Sequence, residues 1–424
     1  MLVALFISLL VLLCIRVPIA FAIGLSSLFS IFFFSDIPLS LLIPRIFNTL
    51  NSSTFLAIPL FMLAGVIMES GGISARLIRF SSSLIGHIRG GLGHVTVLTS
   101  MAFAGISGSA SADTSAVGSV LIPSMVKKGY PKGYAAALTA CAGSLGPIIP
   151  PSIIMIIYGS LTGLSIGKLF LAGAIPGILI GLGLMIINYL SAKKLGLEKS
   201  ERASLKEVWK SFLTAFWALM APVIIIGGIV TGTFTATESG VIAVLYCFLI
   251  STFVYKEMKV RDLGEIFTKA LNTTVMVMFI AATASAFGWI LANEQFPIKV
   301  VNMLSALTES KHIVILIIIA FLLFIGCFLE TIAAAIIFVP VLSVLAVDFG
   351  FDPIQFATVV AICLIIGGIT PPIGVLLFIT NGIAKANINE SIKYLWPFFG
   401  MILFVILLVA YVPFLSTLLP SLVK

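Results

Sequence analysis

A polar interruption inside an apolar run reads Gly105-Ile106-Ser107-Gly108-Ser109-Ala110-Ser111-Ala112-Asp113-Thr114-Ser115. It lies in the middle of the apolar segment 91–126, and residues 326–331 interrupt the apolar segment 312–348 in the same way. Each segment is long enough for two half-helices that enter a membrane and return on the same side. We therefore predict two re-entrant helical hairpins. The alternative is two ordinary crossings joined by a tight turn.

The composition around these hairpins is that of a membrane protein. Of 424 residues, 60% are hydrophobic and only 9% are charged, whereas a soluble domain carries about 25% charged residues. Apolar runs near twenty residues recur along the chain, without the short alternating strands of a barrel. We predict an all-α integral membrane protein with about ten transmembrane helices. The predicted spans are 1–15, 17–34, 53–69, 134–162, 166–191, 212–231, 238–255, 271–291, 354–384 and 391–416.

The distribution of positive charge predicts the orientation. Ten spans and two non-crossing hairpins place 19 of the 24 Lys and Arg residues on one side of the membrane and 5 on the other. Because cytoplasmic loops carry the excess of positive charge, the side with 19 is cytoplasmic. Both termini then lie outside. The N-terminus has no basic region and no small-residue cleavage site, so we expect it to be a mature helix rather than a signal peptide.

The chain contains an internal repeat. Asp113-Thr114 precedes Pro123 by ten residues, and Glu330-Thr331 precedes Pro340 by ten. The segment 193–210, rich in Lys and Glu, separates a first half, 1–192, from a second half, 211–424. Under the predicted topology the two halves have opposite orientations, which is typical of secondary transporters that bind substrate at the repeat interface. The halves also share a double-proline block, Gly146-Pro147-Ile148-Ile149-Pro150-Pro151 and Gly367-Gly368-Ile369-Thr370-Pro371-Pro372.

Two acidic residues at the predicted hairpin tips are candidates for chemistry. An ionisable group inside a membrane costs roughly 2.5–3.5 kcal/mol, so Asp113 and Glu330 indicate cation coupling or substrate contact. The alternative is that each residue caps the returning half-helix. Carbonyls freed by the double prolines suit a hard cation such as Na⁺, and half-helix N-termini favour an anion. Hydroxyls of the first tip offer further oxygen ligands, or else they only allow close packing: Ser107, Ser109, Ser111, Thr114 and Ser115.

Two segments precede the hairpins in equivalent positions, 71–90 and 295–311. The first mixes apolar residues with Arg76, Arg79 and Arg89, which predicts an amphipathic helix along the cytoplasmic interface. Such arms would hold a moving domain between fixed parts, or they would be passive connectors. Glu238 is expected to be a helix cap outside the site.

Other classes of protein fit the sequence poorly. Gly105-Ile106-Ser107-Gly108 fits the pattern of intramembrane serine hydrolases, but that chemistry needs a His base within reach of the serine. His87, His94 and His312 all lie near the predicted membrane boundaries. There is no phosphate-binding loop for ATP. The five cysteines are scattered singly, which indicates neither disulfides nor a metal cluster.

The motifs in order resemble the large membrane subunit of tripartite ATP-independent periplasmic (TRAP) transporters. The resemblance covers essentially the whole chain and rests on the segment 86–94, on Ile106-Ser107-Gly108-Ser109-Ala110 and on the two double-proline blocks. It implies a Na⁺-driven elevator that moves an organic anion inward, of the sialic acid or C4-dicarboxylate type. It also implies a soluble periplasmic solute-binding protein and a small four-helix membrane subunit as partners. No four-helix block precedes residue 1, so we expect the small subunit to be a separate chain.

The same resemblance implies where ions and substrate bind. One Na⁺ site would use Ser107, Ser109, Gly146, Ile149 and Pro151, and a second would use Gly326, Gly367 and Thr370. Asp113, Thr114, Glu330 and Thr331 would flank the substrate cavity between the hairpin tips. The second tip has fewer hydroxyls than the first, so backbone carbonyls would contribute more there. The main alternative is a self-sufficient Na⁺/dicarboxylate symporter that needs no binding protein.

Overall fold

The structure, a computed structural model, describes residues 1–371 and 374–423. In those two ranges the chain forms twenty α-helices and no β-strand. Pro372 of the second double-proline block and Lys424 of the charge count lie outside the described residues. The helices are α1 (Leu2–Cys14), α2 (Ile19–Phe34), α3 (Leu42–Leu50), α4 (Ala57–Ser70), α5 (Ile73–Ile85), α6 (Gly91–Ser107), α7 (Ala110–Lys127), α8 (Lys132–Gly143), α9 (Ile153–Thr162), α10 (Ile166–Lys194), α11 (Leu205–Val230), α12 (Ala236–Leu249), α13 (Leu263–Asn293), α14 (Phe296–Leu307), α15 (Lys311–Gly326), α16 (Thr331–Asp348), α17 (Pro353–Gly367), α18 (Val375–Ala384), α19 (Ile388–Tyr411) and α20 (Phe414–Ser421).

Six of these helices are long and apolar enough to cross a membrane, which confirms the prediction of an all-α membrane protein. They are α10, α11, α13, α16, α19, and α12 together with the π-helical turn Ile250–Val254 that continues it. The predicted spans 134–162 and 354–384 are each divided into two shorter helices, α8 with α9 and α17 with α18. Because several of the ten predicted spans are short or interrupted helices, the count of ten stays a prediction.

The predicted helices need two corrections, one boundary and one additional helix. The span 391–416 is not one helix, because α19 ends at Tyr411 and α20 begins at Phe414. Pro413 lies at this break and has no N–H to donate to the preceding turn, so it cannot continue the helix. The short helix α3 was not predicted. The two predicted arms, in contrast, are both helical, as α5 and α14.

The first arm leaves the preceding helix through a tight elbow. The axes of α4 and α5 differ by 69°, and Gly72 between them has a left-handed φ of 71°. The Arg76 side chain donates to the Gly72 carbonyl at 2.8 Å and pairs with Glu257 at 2.9 Å. Its guanidinium also lies 4.0 Å from the centre of the Tyr255 ring. These contacts tie the elbow to the segment between α12 and α13.

Side-chain caps set the beginnings of several helices. Ser165, Ser204 and Asp352 accept hydrogen bonds from the first turns of α10, α11 and α17. At α12, Thr235 and Glu238 form a reciprocal capping box, in which Glu238 accepts from the Thr235 N–H at 2.7 Å. This confirms the prediction that Glu238 is a helix cap.

Helices of the first half pack against helices of the second half in equivalent pairs. The hairpin helix α7 packs against α18, and the other hairpin helix, α16, packs against α9. In the same way α4 packs against α12, and α2 against α13. Every residue of α8 from Gly133 to Gly143 is buried, as is every residue of α17 from Gln355 to Gly367. The first helices of the two broken pairs therefore form the centre of the protein. Outer helices such as α11 expose large apolar side chains, as expected for contact with lipid.

Candidate functional site: a cavity between two hairpin tips

The first hairpin turns through a glycine and a serine cap. The helix α6 ends at Ser107, Gly108 has a left-handed φ of 61°, and Ser109 accepts from the Ala112 N–H at 3.4 Å to begin α7. A Cβ at Gly108 would lie only 2.8 Å from the Pro151 carbonyl oxygen. The hairpin tip therefore touches the backbone of the first double-proline block directly.

Asp113 lies in the first turn of α7 and is enclosed by its neighbours. Its side chain is fully buried, and the Ser107 hydroxyl donates to its Oδ1. Its Oδ2 has no hydrogen-bond partner in the described part of the chain, and a Cβ at Gly146 would lie 2.4 Å from it. The alternative that Asp113 caps the returning helix is therefore wrong, because Ser109 is that cap.

Thr114 fits against the same broken helix as Asp113. It is fully buried, and its hydroxyl oxygen would lie 1.8 Å from a Cβ at Gly143, the last residue of α8. No partner for this oxygen is found among residues 1–371 and 374–423. Gly143 and Gly146 thus leave the space that Asp113 and Thr114 occupy.

The break between α8 and α9 carries its own polar contacts. The Ser152 hydroxyl donates to the carbonyl of Pro147 and also accepts from the Met155 N–H at 3.2 Å. Ser152 is therefore the cap of α9. Ile149 is half-buried and Pro151 is buried in this loop.

The second hairpin turns without hydroxyl caps. The helix α15 ends at Gly326, and Glu330 caps α16 by accepting from the N–H groups of Ile332 at 2.9 Å and Ala333 at 3.2 Å. For Glu330 the capping alternative is confirmed. A Cβ at Gly326 would lie 2.6 Å from Cα of Gly367, so this tip touches the end of α17.

Thr370 lies in the irregular backbone after α17. Its hydroxyl donates to the Ile366 carbonyl at 2.9 Å. That hydroxyl therefore already has one partner, while its oxygen can still accept a hydrogen bond or bind a cation.

A cavity of about 250 Å³ lies between the two tips. Of the residues singled out from sequence, five line it: Ser109, Ser111, Gly326, Glu330 and Thr331. The other candidate site residues are not part of the described lining: Ser107, Asp113, Thr114, Gly146, Ile149, Pro151, Gly367 and Thr370. Sequence reasoning missed the opposite wall, which α4 and α13 supply through Met62, Thr273, Met276, Val277 and Ile280. Those residues lie inside ordinary apolar runs that carry no distinguishing pattern.

The positive electrostatic potential of the cavity comes from the N-termini of helices. Four helices begin at its wall, with Ala110 of α7, Ile153 of α9, Thr331 of α16 and Val375 of α18. The described lining includes no Lys, Arg or His, and its one acidic side chain, Glu330, already accepts two backbone N–H groups. Because helix N-termini carry partial positive charge, this arrangement favours an anion without a basic side chain.

The described residues contain no group of three or more His, Cys, Asp or Glu that suits a transition metal. Around both tips the available ligands are carbonyl, hydroxyl and carboxylate oxygens, which hard cations prefer.

Comparison with known proteins finds one family whose members match this chain over nearly its whole length. Residues 6–415 match the family described as "Tripartite ATP-independent periplasmic transporter, DctM component". The C4-dicarboxylate TRAP transporter large permease protein DctM of Pseudomonas aeruginosa is 38% identical over 400 residues, covering 94% of each chain. The sialic acid TRAP transporter large permease protein SiaM of Vibrio cholerae is 38% identical over 373 residues, covering 88% of this chain and 87% of that one.

Two further matches extend the comparison. The isethionate TRAP transporter permease protein DctMQ of Oleidesulfovibrio alaskensis is 38% identical over 402 residues, which are 95% of this chain but 63% of that one. Among solved structures, the YdaH transporter of Alcanivorax borkumensis superposes with a TM-score of 0.61 at 16% identity, over 90% of this chain and 88% of that one. The structural likeness concerns the fold alone.

Proposed function

The chain belongs to the DctM component family of tripartite ATP-independent periplasmic transporters, and from that premise we propose that it carries an organic acid anion into the cell together with Na⁺. It is a multi-pass membrane transporter subunit and not an enzyme. The substrates named for its relatives, C4-dicarboxylates, sialic acid and isethionate, are all organic anions.

The observation that carries this proposal is the convergence of four helix N-termini on one cavity with no basic side chain in its described lining. An anion bound there is stabilised by backbone N–H groups and helix dipoles. It can also be released again, because no Lys or Arg holds it as a permanent ion pair. Both properties suit a substrate that must bind on one side of the membrane and leave on the other.

Na⁺ is proposed as the coupling ion, at two sites beside the cavity. At the first, the ligands would be Ser107, Ser109, Gly146, Ile149 and Pro151. The unpartnered Oδ2 of Asp113 beside Gly146 supports a cation there, since a buried carboxylate oxygen without a donor is costly. The second site would use Gly326, Gly367 and Thr370, where the close backbone contact of the two glycines supports ligation by carbonyls.

The mechanism we propose is an elevator. The two hairpins and the two broken helices would move as one body against a scaffold that includes α2, α4, α11, α12 and α13. The arms α5 and α14 would connect the two parts. Na⁺ bound next to the anion offsets the cost of carrying a carboxylate through the membrane, which explains why ion and substrate would move together.

The proposed partners follow from the tripartite family. A periplasmic solute-binding protein would deliver the substrate, and a small four-helix membrane subunit would complete the scaffold as a separate chain. The protein would lie in the bacterial inner membrane with both termini on the periplasmic side. The division into inverted halves, 1–192 and 211–424 with the linker 193–210 on the cytoplasmic side, is part of the same proposal.

The test is uptake into liposomes that contain the chain and its small subunit. Labelled N-acetylneuraminate and succinate are supplied under an inward Na⁺ gradient, with and without the candidate binding protein. An equal K⁺ gradient is the control. We expect uptake only with Na⁺ and the binding protein together. Uptake of free anion without the binding protein would instead establish a self-sufficient symporter, and uptake that is equal under K⁺ would exclude Na⁺ coupling.

A further inference from the structure

The cavity between the hairpin tips has one wall that is almost entirely apolar. The scaffold helices α4 and α13 contribute Met62, Met276, Val277 and Ile280, and Thr273 is the one polar side chain they add to the described lining. The Thr273 hydroxyl donates to the Lys269 carbonyl at 3.0 Å. This wall therefore offers a bound substrate a hydroxyl oxygen as acceptor and otherwise only hydrocarbon and thioether surface.

Across the cavity from α4 and α13, the polar groups of the lining are concentrated at the hairpin tips. Ser109 and Ser111 lie at the beginning of α7, and Glu330 and Thr331 at the beginning of α16. A carboxylate of the substrate is satisfied here by hydroxyls and helix N-termini. The cavity is thus amphipathic, with a pole for one anionic group and an apolar face for the rest of the molecule.

A second negative charge on the substrate must share the helix N-termini of this cavity with the first charge. Its described lining has no cationic side chain, and Glu330 carries the same sign as the substrate. A dianion would place its second carboxylate either next to Glu330 or against the apolar scaffold wall. Both placements are unfavourable, because like charges repel and an unpaired charge resists desolvation.

A substrate with many hydroxyls is also disfavoured by the apolar wall of α4 and α13. Each hydroxyl that faces Met62, Met276 or Ile280 gives up water without gaining a hydrogen bond, which opposes binding. The cavity volume of about 250 Å³ lies near the lower end of the range of small-molecule pockets, about 300–1,000 Å³, and suits a small acid with an aliphatic body.

We propose that the substrate is an organic monoanion with an apolar body, which binds its charged group at the hairpin tips and its hydrocarbon part against α4 and α13. This inference rests on the proposed function, because it assumes that the transported anion occupies this cavity. It differs from the sialic acid or C4-dicarboxylate type that the sequence suggested, because those molecules carry many hydroxyls or a second carboxylate.

The chain contains a reporter for occupation of the cavity. Cys327 lines the cavity at the second tip, whereas Cys14 is exposed on α1 and is not part of the described lining. The complex with the small subunit, in lipid nanodiscs, is treated with N-ethylmaleimide, and alkylation of each cysteine is followed by peptide mass spectrometry. Bound substrate should slow the alkylation of Cys327 and leave that of Cys14 unchanged.

Hexanoate, gluconate and adipate make a matched set of ligands for this experiment. They share one chain length and differ only in hydroxyls or in a second carboxylate. In Na⁺ buffer we expect hexanoate to protect Cys327 at a concentration at least about tenfold lower than gluconate or adipate, the discrimination typical of an apolar pocket. Choline buffer in place of Na⁺ should weaken the protection.

Two isosteric variants test whether the wall formed by α4 and α13 causes the preference for hexanoate over gluconate. Val277→Thr adds a hydroxyl to the wall and should narrow the ratio between hexanoate and gluconate severalfold. Val275→Thr makes the same change at a position on α13 that is 57% exposed and does not line the cavity, so it should leave the ratio unchanged.

The outcomes separate the two proposals. If gluconate or adipate protects Cys327 as well as hexanoate does, the inferred substrate class is wrong while anion binding in the cavity stands. If no acid protects Cys327, with N-acetylneuraminate and succinate included, the cavity is not the anion site and the proposed function fails with it. A decrease at Cys14 equal to that at Cys327 would be an effect on the membrane and would overturn the inference.

Discussion

Replacing Gly326 by alanine tests the contact between the second hairpin tip and the second broken helix. A Cβ at this position would lie 2.6 Å from Cα of Gly367 and 3.5 Å from the N and C atoms of that residue. All three atoms belong to backbone, so no flexible side chain can move out of the way. The tip and the end of α17 must therefore separate.

The size of the effect follows from that distance. Carbon atoms pack best at about 3.5–4.0 Å, so the two backbones must move apart by roughly 1 Å. Overpacking of this kind costs typically 1–3 kcal/mol. Alanine recovers at most about 1 kcal/mol of helix propensity at the last residue of α15. We expect Gly326→Ala to lower the free energy of unfolding by about 1–2 kcal/mol, and to raise the Na⁺ concentration for half-maximal uptake.

Thermal unfolding in nanodiscs, followed by tryptophan fluorescence, measures the first quantity, and liposome uptake measures the second. Gly382→Ala is the matched control, because it lies within α18 and its Cβ would meet no described atom within 4 Å. The control should be as stable as the wild type or slightly more stable. The reasoning is refuted if Gly326→Ala unfolds at the same temperature as the control and keeps the wild-type response to Na⁺.

Three other substitutions test separate contacts. Asp113→Asn keeps a partner for the Ser107 hydroxyl but removes the buried charge, so uptake should require at least about tenfold more Na⁺, which a Na⁺ titration of uptake measures. Arg76→Gln and Glu257→Gln, combined in a double-mutant cycle of thermal unfolding, should give a coupling energy below about 1 kcal/mol, because Glu257 is half exposed; a larger value would mean a shielded pair. Thr235→Ala removes the capping box of α12 and should lower the free energy of unfolding by about 1 kcal/mol, whereas no change would show that the cap is dispensable.

The sequence predicted those features of the fold that depend on local chemistry. Breaks in the helices follow from clusters of Gly, Ser and Pro, so the ends of α6, α8, α15 and α17 fall where the polar interruptions and double prolines lie. The first arm was predicted as an amphipathic helix from its mixture of Arg and apolar residues, and the second arm from its equivalent position before the second hairpin. Glu330 was foreseen as a possible cap because an acid at a helix start satisfies free N–H groups.

The sequence did not predict which way side chains face. Asp113 and Glu330 occupy equivalent positions in the repeat, yet Asp113 packs against Gly146 and is not part of the described lining, while Glu330 lines the cavity. Ser109 takes the capping role in the first hairpin and leaves Asp113 one turn further along α7. The cavity wall at Met276 and Val277 was not foreseen either, because residues 275–282 of α13 are all apolar and no pattern marks the face that meets the cavity.

The exchange of contacts between the halves has a consequence for biogenesis. The helix α7 of the first hairpin packs against α18, which is synthesised almost at the end of the chain, and α9 packs against α16. While the ribosome is still producing the second half, α7 of the first hairpin packs only against α6, α8 and other helices of its own half, and its contact surface for α18 stays open. The contacts between the halves can therefore form only after the whole chain has been synthesised. A chain truncated after the linker would expose these surfaces, and we expect proteases to degrade it.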